Sequence, residues 1–311
     1  MEIAILGTGK MGSALAVGIA CGSGRDFAQE RKTGAEAEPK PPEIACGSGR
    51  DFAQERKTGA EAEPKPPTIS SKGARLTLCD HSHAKAAALA RKIGAKAART
   101  AKEATEGADA IIIAVKPDAV SALLEEIKKE LGETLLISVV AGLPLSYFRK
   151  RVPKSCRIAL IMPNLAVQVG KGATLYYAES HIDAREIEAL LAPTGMVIRA
   201  KKEGDMDFAF LTSSGIAFFL AAIEGMAKAG EENGLSYSQS LALSAKAAEG
   251  SCALVLEKGI RPLDLERMVA TEKGITMRGL SVLKKAKVQQ RFHNAANAVI
   301  MEAKRRRRKN A

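Results

Sequence analysis

Tryptophan is absent from this chain of 311 residues, and tyrosine and phenylalanine together account for only 4% of it. Its basic residues therefore lack the interleaved aromatic side chains on which many nucleic-acid-binding proteins stack bases. Cysteine is scarce as well, with five residues and neither a C-x-x-C pair nor the Cys/His spacing of a zinc site. An odd number of unpaired-looking cysteines favours free thiols in a reducing cytoplasm, and we expect no metal site.

Long hydrophobic runs are also missing, since no stretch of about 18 apolar residues suggests a membrane span. The chain begins with the strand-like MEIAIL, so we expect no signal peptide, a cytoplasmic location and no membrane partner. The net charge is +12, but KRRRRK at 304–309 carries six of these charges. We interpret 304–311 as a solvated, flexible basic tail and expect no specific nucleic-acid partner, with weak anion, RNA or membrane-surface contact as the alternative.

An internal duplication interrupts the first third of the chain. The sequence CGSGRDFAQERKTGAEAEPKPP occurs at 21–42 and again, unchanged, at 46–67. Each copy is rich in Gly, Pro, Glu and Lys and holds too few apolar side chains to offset the entropy cost of ordering it. Stacked repeats need an apolar face, which these copies lack. We therefore predict that 21–70 is a duplicated, disordered loop insertion.

The residues on either side of this insertion form a nucleotide-binding pattern. MEIAIL is followed by GTGKMG, which contains Gly7, Gly9 and Gly12, and then by the helix-like SALAVGIA. This is a strand, a G-x-G-x-x-G turn and a helix, as in dinucleotide-binding folds. The first glycine allows the tight turn, the second lets the pyrophosphate approach and the third lets the helix pack on the strand. We include Thr8, Lys10 and Met11 of this turn among the cofactor contacts.

An acidic residue is expected about 20 positions after such a turn, at the end of the second strand. ARLTLCD ends at Asp80, 68 residues after Gly12, and removing the 50 residues 21–70 leaves a spacing of 18. The Asp80 charge would repel the 2′-phosphate of NADP, which gives a modest preference for NADH. His81, His83 and Lys85 could compensate for it. We count His81 among the cofactor contacts and not as a metal ligand.

Strands and helices alternate over the rest of 1–203, which predicts a doubly wound parallel sheet. Helices are expected at 83–93, 117–131, 144–151 and 183–192, and strands at 108–115, 134–140, 156–162, 172–177 and 195–199. Ligands bind beyond the carboxyl ends of such strands. The expected cofactor contacts there are Ala114, Val115, Lys116, Pro117, Ala141, Gly142 and Asn164.

Long helices are predicted from Asp205 onwards. Apolar residues recur at helical spacing from Ile216 to Ala227, and Asn233–Gly234 ends that helix. A second helix over 238–259 is apolar around much of its circumference, which is typical of a core or a subunit interface. We predict a helical domain over 204–303.

The order of motifs along the chain resembles Δ1-pyrroline-5-carboxylate reductase. The motifs are ILGTGKMG, AVKP, SVVAG, MPN, a Ser/Gly turn before IEGMAKAGEENGL, and LEKGIRPLDLERMVATEKGITMRGL. The resemblance implies an N-terminal Rossmann-type domain followed by an all-α dimerisation domain that forms a homodimer, often within larger rings. It also implies the NAD(P)H-dependent reduction of the cyclic imine Δ1-pyrroline-5-carboxylate to L-proline.

The same resemblance implies a substrate site in the second half of the chain. Thr276 matches the family threonine whose hydroxyl contacts the ring nitrogen, and the amides of Gly274, Ile275 and Thr276 could bind the carboxylate at a helix N-terminus. Additional contacts are expected from Ser214, Gly215 and Thr271, and positive charge from Lys116, which we place with Thr276 as catalytic. Thr276 could instead be a helix cap and Lys116 a solvated loop residue.

The sequence departs from the family pattern around the substrate. The S-G-S-G-P-A-Y turn reads TSSGIAF over 212–218, the S-P-G-G-T-T loop reads TEKGIT over 271–276, and MPNTP reads MPNLA. Three alternatives therefore stay open. The chain could reduce a larger, six-membered cyclic imine, or act on a hydroxyacid, although Lys228 lacks the G-x-x-x-K-x-x-x-N pattern of β-hydroxyacid dehydrogenases. It could also be a non-catalytic nucleotide-binding dimer.

Overall fold

The computed structural model describes residues 1–22, 73–271 and 274–310. The insertion predicted over 21–70 lies, beyond its first two residues, outside the described residues. Within the described residues, eight strands form one sheet in the order β3-β2-β1-β4-β5-β6-β7-β8. Their bounds are β1 (Glu2–Leu6), β2 (Arg75–Cys79), β3 (Lys96–Ala97), β4 (Ala110–Ile113), β5 (Leu135–Ser138), β6 (Arg157–Met162), β7 (Gly172–Ala178) and β8 (Gly195–Arg199).

The sheet is parallel from β3 to β6, as the sequence predicts, but it is not parallel throughout. Strand β7 runs antiparallel to β6, and β8 runs parallel to β7. The connection 163–171 between β6 and β7 contains only a short 3-10 turn, Leu165–Val169. A parallel crossover needs a dozen or more residues, so the chain reverses direction here.

Helices cover both faces of the sheet. They are α1 (Lys10–Gly22), α2 (His83–Ile93), α3 (Ala101–Thr105), α4 (Val120–Ile127), α5 (Leu145–Arg149) and α6 (Ala184–Leu191). Successive β1 side chains point to opposite faces, with Ile3 and Ile5 in one buried cluster and Ala4 and Leu6 in the other. Two apolar cores thus hold the central strands, which fixes the positions of their carboxyl ends.

Two short elements, β3 and α3, are absent from the sequence-based prediction. Strand β3 has two residues and α3 has five, too few for an apolar period to be visible. The predicted helix 117–131 is also divided, since 3-10 turns at Pro117–Ala119 and Lys128–Glu130 flank α4.

In the part of the chain described after the sheet, five helices follow a 3-10 turn at Glu203–Phe208. They are α7 (Ala209–Glu232), α8 (Tyr237–Lys258), α9 (Pro262–Val269), α10 (Ile275–Lys285) and α11 (Val288–Asn310). Helices α7 and α8 approach so closely that a Cβ on Gly230 would lie 2.0 Å from Ser240 Oγ. Helix α11 packs on α7, where the Phe292 ring lies 6.4 Å from that of Phe218 and 6.1 Å from that of Phe219.

Two predictions about the second half are wrong. The segment TSSGIAF is not a turn before a helix but lies within α7, where Thr212 Oγ1 bonds back to the carbonyl of Ala209 at 2.9 Å. The basic segment is not a flexible end, because 304–310 continues α11. Arg305 and Arg306 pair with Glu302 one turn earlier, and Arg307 reaches Asp207 on the 3-10 turn.

The helical part exposes a large apolar surface. Phe219 is 62% exposed, Leu256 69%, Met268 70% and Ile275 89%. By length and composition, segment Glu203–Glu232 is long and apolar enough to cross a membrane, and 22% of its most apolar 18-residue stretch is buried. The sequence-based expectation that no segment has the length and apolar composition of a membrane span is thus wrong. Exposed apolar area of this extent is typical of an interaction surface.

Candidate active site

The turn between β1 and α1 is held in a conformation that requires glycine. Gly7 has φ 98°, and its amide donates to the carbonyl of Cys79 at 2.8 Å. A Cβ on Gly7 would lie 2.6 Å from the Ala114 carbonyl oxygen, and one on Gly12 would lie 1.9 Å from the Gly7 carbonyl oxygen. The turn therefore packs directly on the end of β4 and leaves no room for side chains at these two positions.

The second glycine of the turn, Gly9, faces open space. No protein atom lies within 4 Å of a Cβ on Gly9. Helix α1 begins at the next residue, Lys10, which is exposed, while Met11 is half-buried. The Ser13 amide donates to the Gly9 carbonyl at 2.9 Å, and the Ser13 hydroxyl donates to the Thr8 carbonyl at 2.7 Å. Room beside glycine at a helix N-terminus suits the pyrophosphate of a dinucleotide.

Asp80 is tied to the same turn. One carboxylate oxygen accepts the Thr8 amide at 2.7 Å and the Thr8 hydroxyl at 3.0 Å, and the other accepts the Ser82 amide at 3.0 Å. Its side chain is only 8% exposed, and His81 Nδ1 lies 2.8 Å from it. The acid that spacing predicted at the end of β2 therefore stands beside the glycine-rich turn.

The pKa of Asp80 reflects two opposing effects. Burial alone would raise it, but hydrogen bonds from Ser82 and Thr8, together with nearby His81, outweigh burial and hold the pKa below its usual range. A lowered pKa means that the carboxylate stabilises the fold above its unfolded pKa of about 3.9, and that this stabilisation is lost as pH falls through the folded-state value. Asp80 is therefore an anion at neutral pH.

Two histidines lie next to Asp80 at the start of α2. His81 has an 87% exposed side chain, and His83 is the first residue of α2. Across 1–22, 73–271 and 274–310, no group of three or more His, Cys, Asp or Glu side chains is arranged to hold a metal ion. Lys85 is exposed on α2.

The ends of β4, β5 and β6 place the remaining predicted cofactor residues along one edge of the sheet. Ala114 and Val115 are half-buried against the Gly7 turn, whereas Lys116 and Pro117 are exposed. After β5, Ala141 is exposed and Gly142 has φ 82°. After β6, the Asn164 side chain is 7% exposed and accepts the Ala166 amide at 3.2 Å. Asn164 thus caps the following 3-10 turn.

The predicted substrate residues lie on the helical part. Ser214 and Gly215 are inside α7, with Gly215 buried. Gly274 is the N-cap of α10, its amide donates to the Thr271 carbonyl at 2.9 Å, and a Cβ on it would lie 2.5 Å from Thr271 Oγ1. Thr276 lies in the first turn of α10, so this helix opens where the sequence predicts.

The substrate loop makes no direct bond to the glycine-rich turn in the described part of one chain. Thr271, Ile275 and Thr276 are all exposed, and α10 packs on α11. Among the described residues, no hydrogen bond or ion pair joins 271–276 to residues 7–12. Within the described part of a single copy, the two halves of the predicted site therefore share no direct polar contact.

A cavity that the sequence did not predict lies at the carboxyl ends of β5 and β6. It has a volume of about 40 Å³, and its lining includes Ser138, Gly142, Met162, Glu203, Asp207 and Arg307. Asp207 is 3% exposed, and its Oδ2 lies 2.8 Å from Nη2 of Arg307. In the sequence, this cavity is indicated only by the four-residue spacing of Ala303 and Arg307, which puts both residues on one face of α11.

Comparison with known protein families gives a match in each half of the chain. Residues 203–306 match a family model described as pyrroline-5-carboxylate reductase dimerisation. Residues 68–142 match one described as NADP oxidoreductase, coenzyme F420-dependent.

Curated relatives and solved structures agree with these matches. Pyrroline-5-carboxylate reductase 1 of Bacillus spizizenii is 30% identical over 64% of this chain and 69% of that protein. Pyrroline-5-carboxylate reductase of Methanosarcina acetivorans is 29% identical over 67% of this chain and 78% of its own. The fold is that of Plasmodium falciparum pyrroline carboxylate reductase with NADP bound, with a TM-score of 0.73 at 24% identity, covering 99% of this chain and 98% of that one.

Proposed function

Because the chain belongs to the pyrroline-5-carboxylate reductase family, we propose that it is an oxidoreductase that reduces the cyclic imine Δ1-pyrroline-5-carboxylate to L-proline with a nicotinamide nucleotide. This is the last step of proline biosynthesis, and we expect it to take place in the cytoplasm. The observation that carries the proposal is the glycine-rich turn, to which Asp80 is bonded through the amide and hydroxyl of Thr8, an arrangement that suits a dinucleotide.

The residues of the turn would hold the cofactor. The space beside Gly9 and the first turn of α1 suit the pyrophosphate, and the Asp80 carboxylate suits the ribose hydroxyls. The bound nicotinamide supplies the hydride. Ala114, Val115, Ala141 and Gly142 border the same edge of the sheet, where side-chain bulk is small, and exposed Lys116 adds positive charge.

The first turn of α10 would hold the substrate. The amides of Ile275 and Thr276 lie in the first turn of α10, where a helix N-terminus favours an anion, which suits the substrate carboxylate. The Gly274 amide, which the sequence also assigned to the carboxylate, donates instead to the Thr271 carbonyl. The Thr276 hydroxyl can then hydrogen-bond the ring nitrogen and favour its protonated form. This orientation lowers the barrier because it presents the imine carbon to the hydride donor in one geometry.

We further propose that the active enzyme is a homodimer in which α10 of one copy meets the nucleotide turn of the other. The matched dimerisation region 203–306 contains α10 and the exposed apolar side chains Phe219, Leu256 and Ile275. Pairing two such surfaces removes apolar area from water and could supply each nucleotide turn with the substrate loop of the other copy.

Replacement of Thr276 by alanine tests the substrate assignment. We expect kcat/KM for Δ1-pyrroline-5-carboxylate to fall about tenfold or more, because a contact to a charged group contributes about 1.5–3 kcal/mol. The measurement is nucleotide oxidation at varied substrate concentration. Thr134→Ala is the matched control, since its hydroxyl bonds to the Glu130 carbonyl near the opposite edge of the sheet. A wild-type rate for Thr276→Ala would remove Thr276 from the site.

Replacement of Asp80 by serine tests the modest preference for NADH. The ratio of kcat/KM for NADPH to that for NADH should rise about tenfold, because a carboxylate near the 2′-phosphate repels it by a few kcal/mol at most. Serine keeps a short polar side chain beside Thr8. Asp109→Ser removes the same charge at the amino end of β4, where its carboxylate accepts the Glu2 amide at 2.7 Å, and should leave the ratio unchanged. An unaltered ratio in Asp80→Ser would dismiss the electrostatic explanation.

One assay decides the reaction itself. Purified protein is incubated with NADH or NADPH and with pyrroline-5-carboxylate or its six-membered homologue, and nucleotide oxidation is followed. We expect faster turnover with the five-membered ring. Turnover of the larger ring alone would reassign the substrate, and nucleotide binding without turnover of either imine would indicate a non-catalytic dimer.

A further inference from the structure

The last helix lines the same cavity as the carboxyl ends of β5 and β6. Ala303 is 3% exposed, and one turn later the Arg307 side chain reaches Asp207. A Cβ on Gly204 would lie 3.3 Å from Arg307 Nη1, so the guanidinium lies against the backbone of the 3-10 turn Glu203–Phe208. Helix α11 is thus attached to the chain segment that joins the two halves of the molecule.

Arg307 differs from its basic neighbours. Arg305 and Arg306 are exposed and pair with Glu302 of their own helix, and Lys304 and Arg308 are exposed as well. Arg307 alone among 304–308 pairs with a carboxylate outside α11. The matched family region ends at residue 306, so this contact falls just beyond it.

Asp207 depends on this one cation. Its side chain is 5% exposed, and its Oδ2 has no well-oriented hydrogen bond among the described residues, only the ionic contact at 2.8 Å. Loss of one partner from a buried ion pair leaves an uncompensated charge, which is strongly unfavourable. The carboxylate therefore holds Arg307, and with it the end of α11, in one position.

A second contact links the same 3-10 turn to the loop after β5. Glu203 Oε1 accepts the Leu145 amide at 2.8 Å, at the start of α5. The loop that ends there contains Gly142, which lines the same cavity as Arg307 and Asp207. A continuous set of contacts thus runs from the end of α11 through the 3-10 turn to a cofactor-lining loop.

We propose that Arg307 is a positioning residue for the nucleotide: its ion pair with Asp207 fixes the 3-10 turn, which in turn fixes the loop 139–145 at the cofactor edge. The proposal rests on the proposed function for its effect on catalysis. It assigns a role to the basic segment that its sequence, six basic residues in a row, does not suggest.

The test compares Arg307→Met with Arg308→Met, which removes the same charge from an exposed neighbour. For Arg307→Met we expect KM for the nucleotide to rise about fivefold to tenfold while kcat changes less than about twofold, since a displaced binding loop weakens binding before chemistry. Arg308→Met should change neither. Arg307→Lys should restore at least about half of the lost affinity, because it keeps the charge.

Hydrogen exchange over 139–145 gives a readout independent of turnover. Arg307→Met should accelerate exchange there, and Asp207→Asn, which keeps the side-chain shape, should do so as well. Wild-type exchange in both variants, or equal nucleotide KM in Arg307→Met and Arg308→Met, would overturn the proposal. Absence of imine reduction by the wild-type protein would instead refute the proposed function. In that case, nucleotide affinity and hydrogen exchange over 139–145, measured in the same variants, would still decide the role of Arg307.

Discussion

Replacement of Gly12 by alanine is expected to abolish nucleotide binding. The new Cβ would lie 1.9 Å from the Gly7 carbonyl oxygen and 3.1 Å from the Ala114 side chain. Because the first of these is a backbone atom held by β1, helix α1 must move away from the strand. We expect nucleotide affinity to fall at least about 100-fold, equivalent to ~2.7 kcal/mol, together with a lower melting temperature. Fluorescence titration with NADPH and thermal unfolding measure the two effects.

Gly9→Ala is the matched control for this result. No protein atom lies within 4 Å of a Cβ at this position, so the melting temperature should match that of the wild-type protein. A difference in stability between the two alanine variants would show that the clash, and not the loss of glycine flexibility, matters. Wild-type nucleotide affinity in Gly12→Ala would contradict the interpretation of residues 7–12 as the phosphate-binding turn.

A mixed dimer of two defective chains is expected to regain about half of the wild-type activity. One chain carries Gly9→Val, which fills the space beside the turn, and the other carries Thr276→Ala. If α10 serves the nucleotide turn of the opposite copy, one of the two sites combines an intact turn with an intact loop. Two affinity tags isolate the mixed dimer, and imine-dependent nucleotide oxidation gives its activity relative to each parent.

The control is a mixed dimer in which both substitutions lie on the same chain. A dimer of a wild-type chain with a chain carrying both substitutions has one defect in each shared site, so it should have little activity. If the loop served its own chain, this dimer would keep about half of the activity and the first would have almost none. A shared site thus predicts activity only in the dimer of two singly substituted chains, and a single-chain site predicts activity only in the dimer with one wild-type chain. Activity in the latter dimer alone would refute the shared site.

The glycine-rich turn and the acidic residue beside it could be predicted from the sequence because short-range sequence patterns determine both. Residues 7–12 stand between a strand and a helix, and the spacing of 18 to Asp80 placed an acid at the end of β2, where it accepts the Thr8 amide at 2.7 Å. The family, its fold and its reaction are likewise those that the motif order implied. The individual contacts to cofactor and substrate stay predictions.

Other features depended on tertiary contacts that have no local signal. TSSGIAF resembles a turn because of its Ser and Gly residues, yet neighbouring apolar residues carry α7 through it. The basic segment resembles a solvated tail, yet Asp207, 100 positions away, holds Arg307. The antiparallel strand β7 followed from the shortness of 163–171, which the regular alternation of strands and helices concealed.

The direction of α1 has a practical consequence for engineering. This helix begins at Lys10 beside the nucleotide turn and, over 13 residues, carries the chain about 20 Å to the opposite edge of the sheet, where Gly22 and Gly73 mark the two sides of the break in the described chain. Residue 75 pairs there with Glu2, at the amino end of the strands. A reporter domain or affinity tag joined at these two glycines would therefore be attached at the end of the strands opposite to the proposed nucleotide turn.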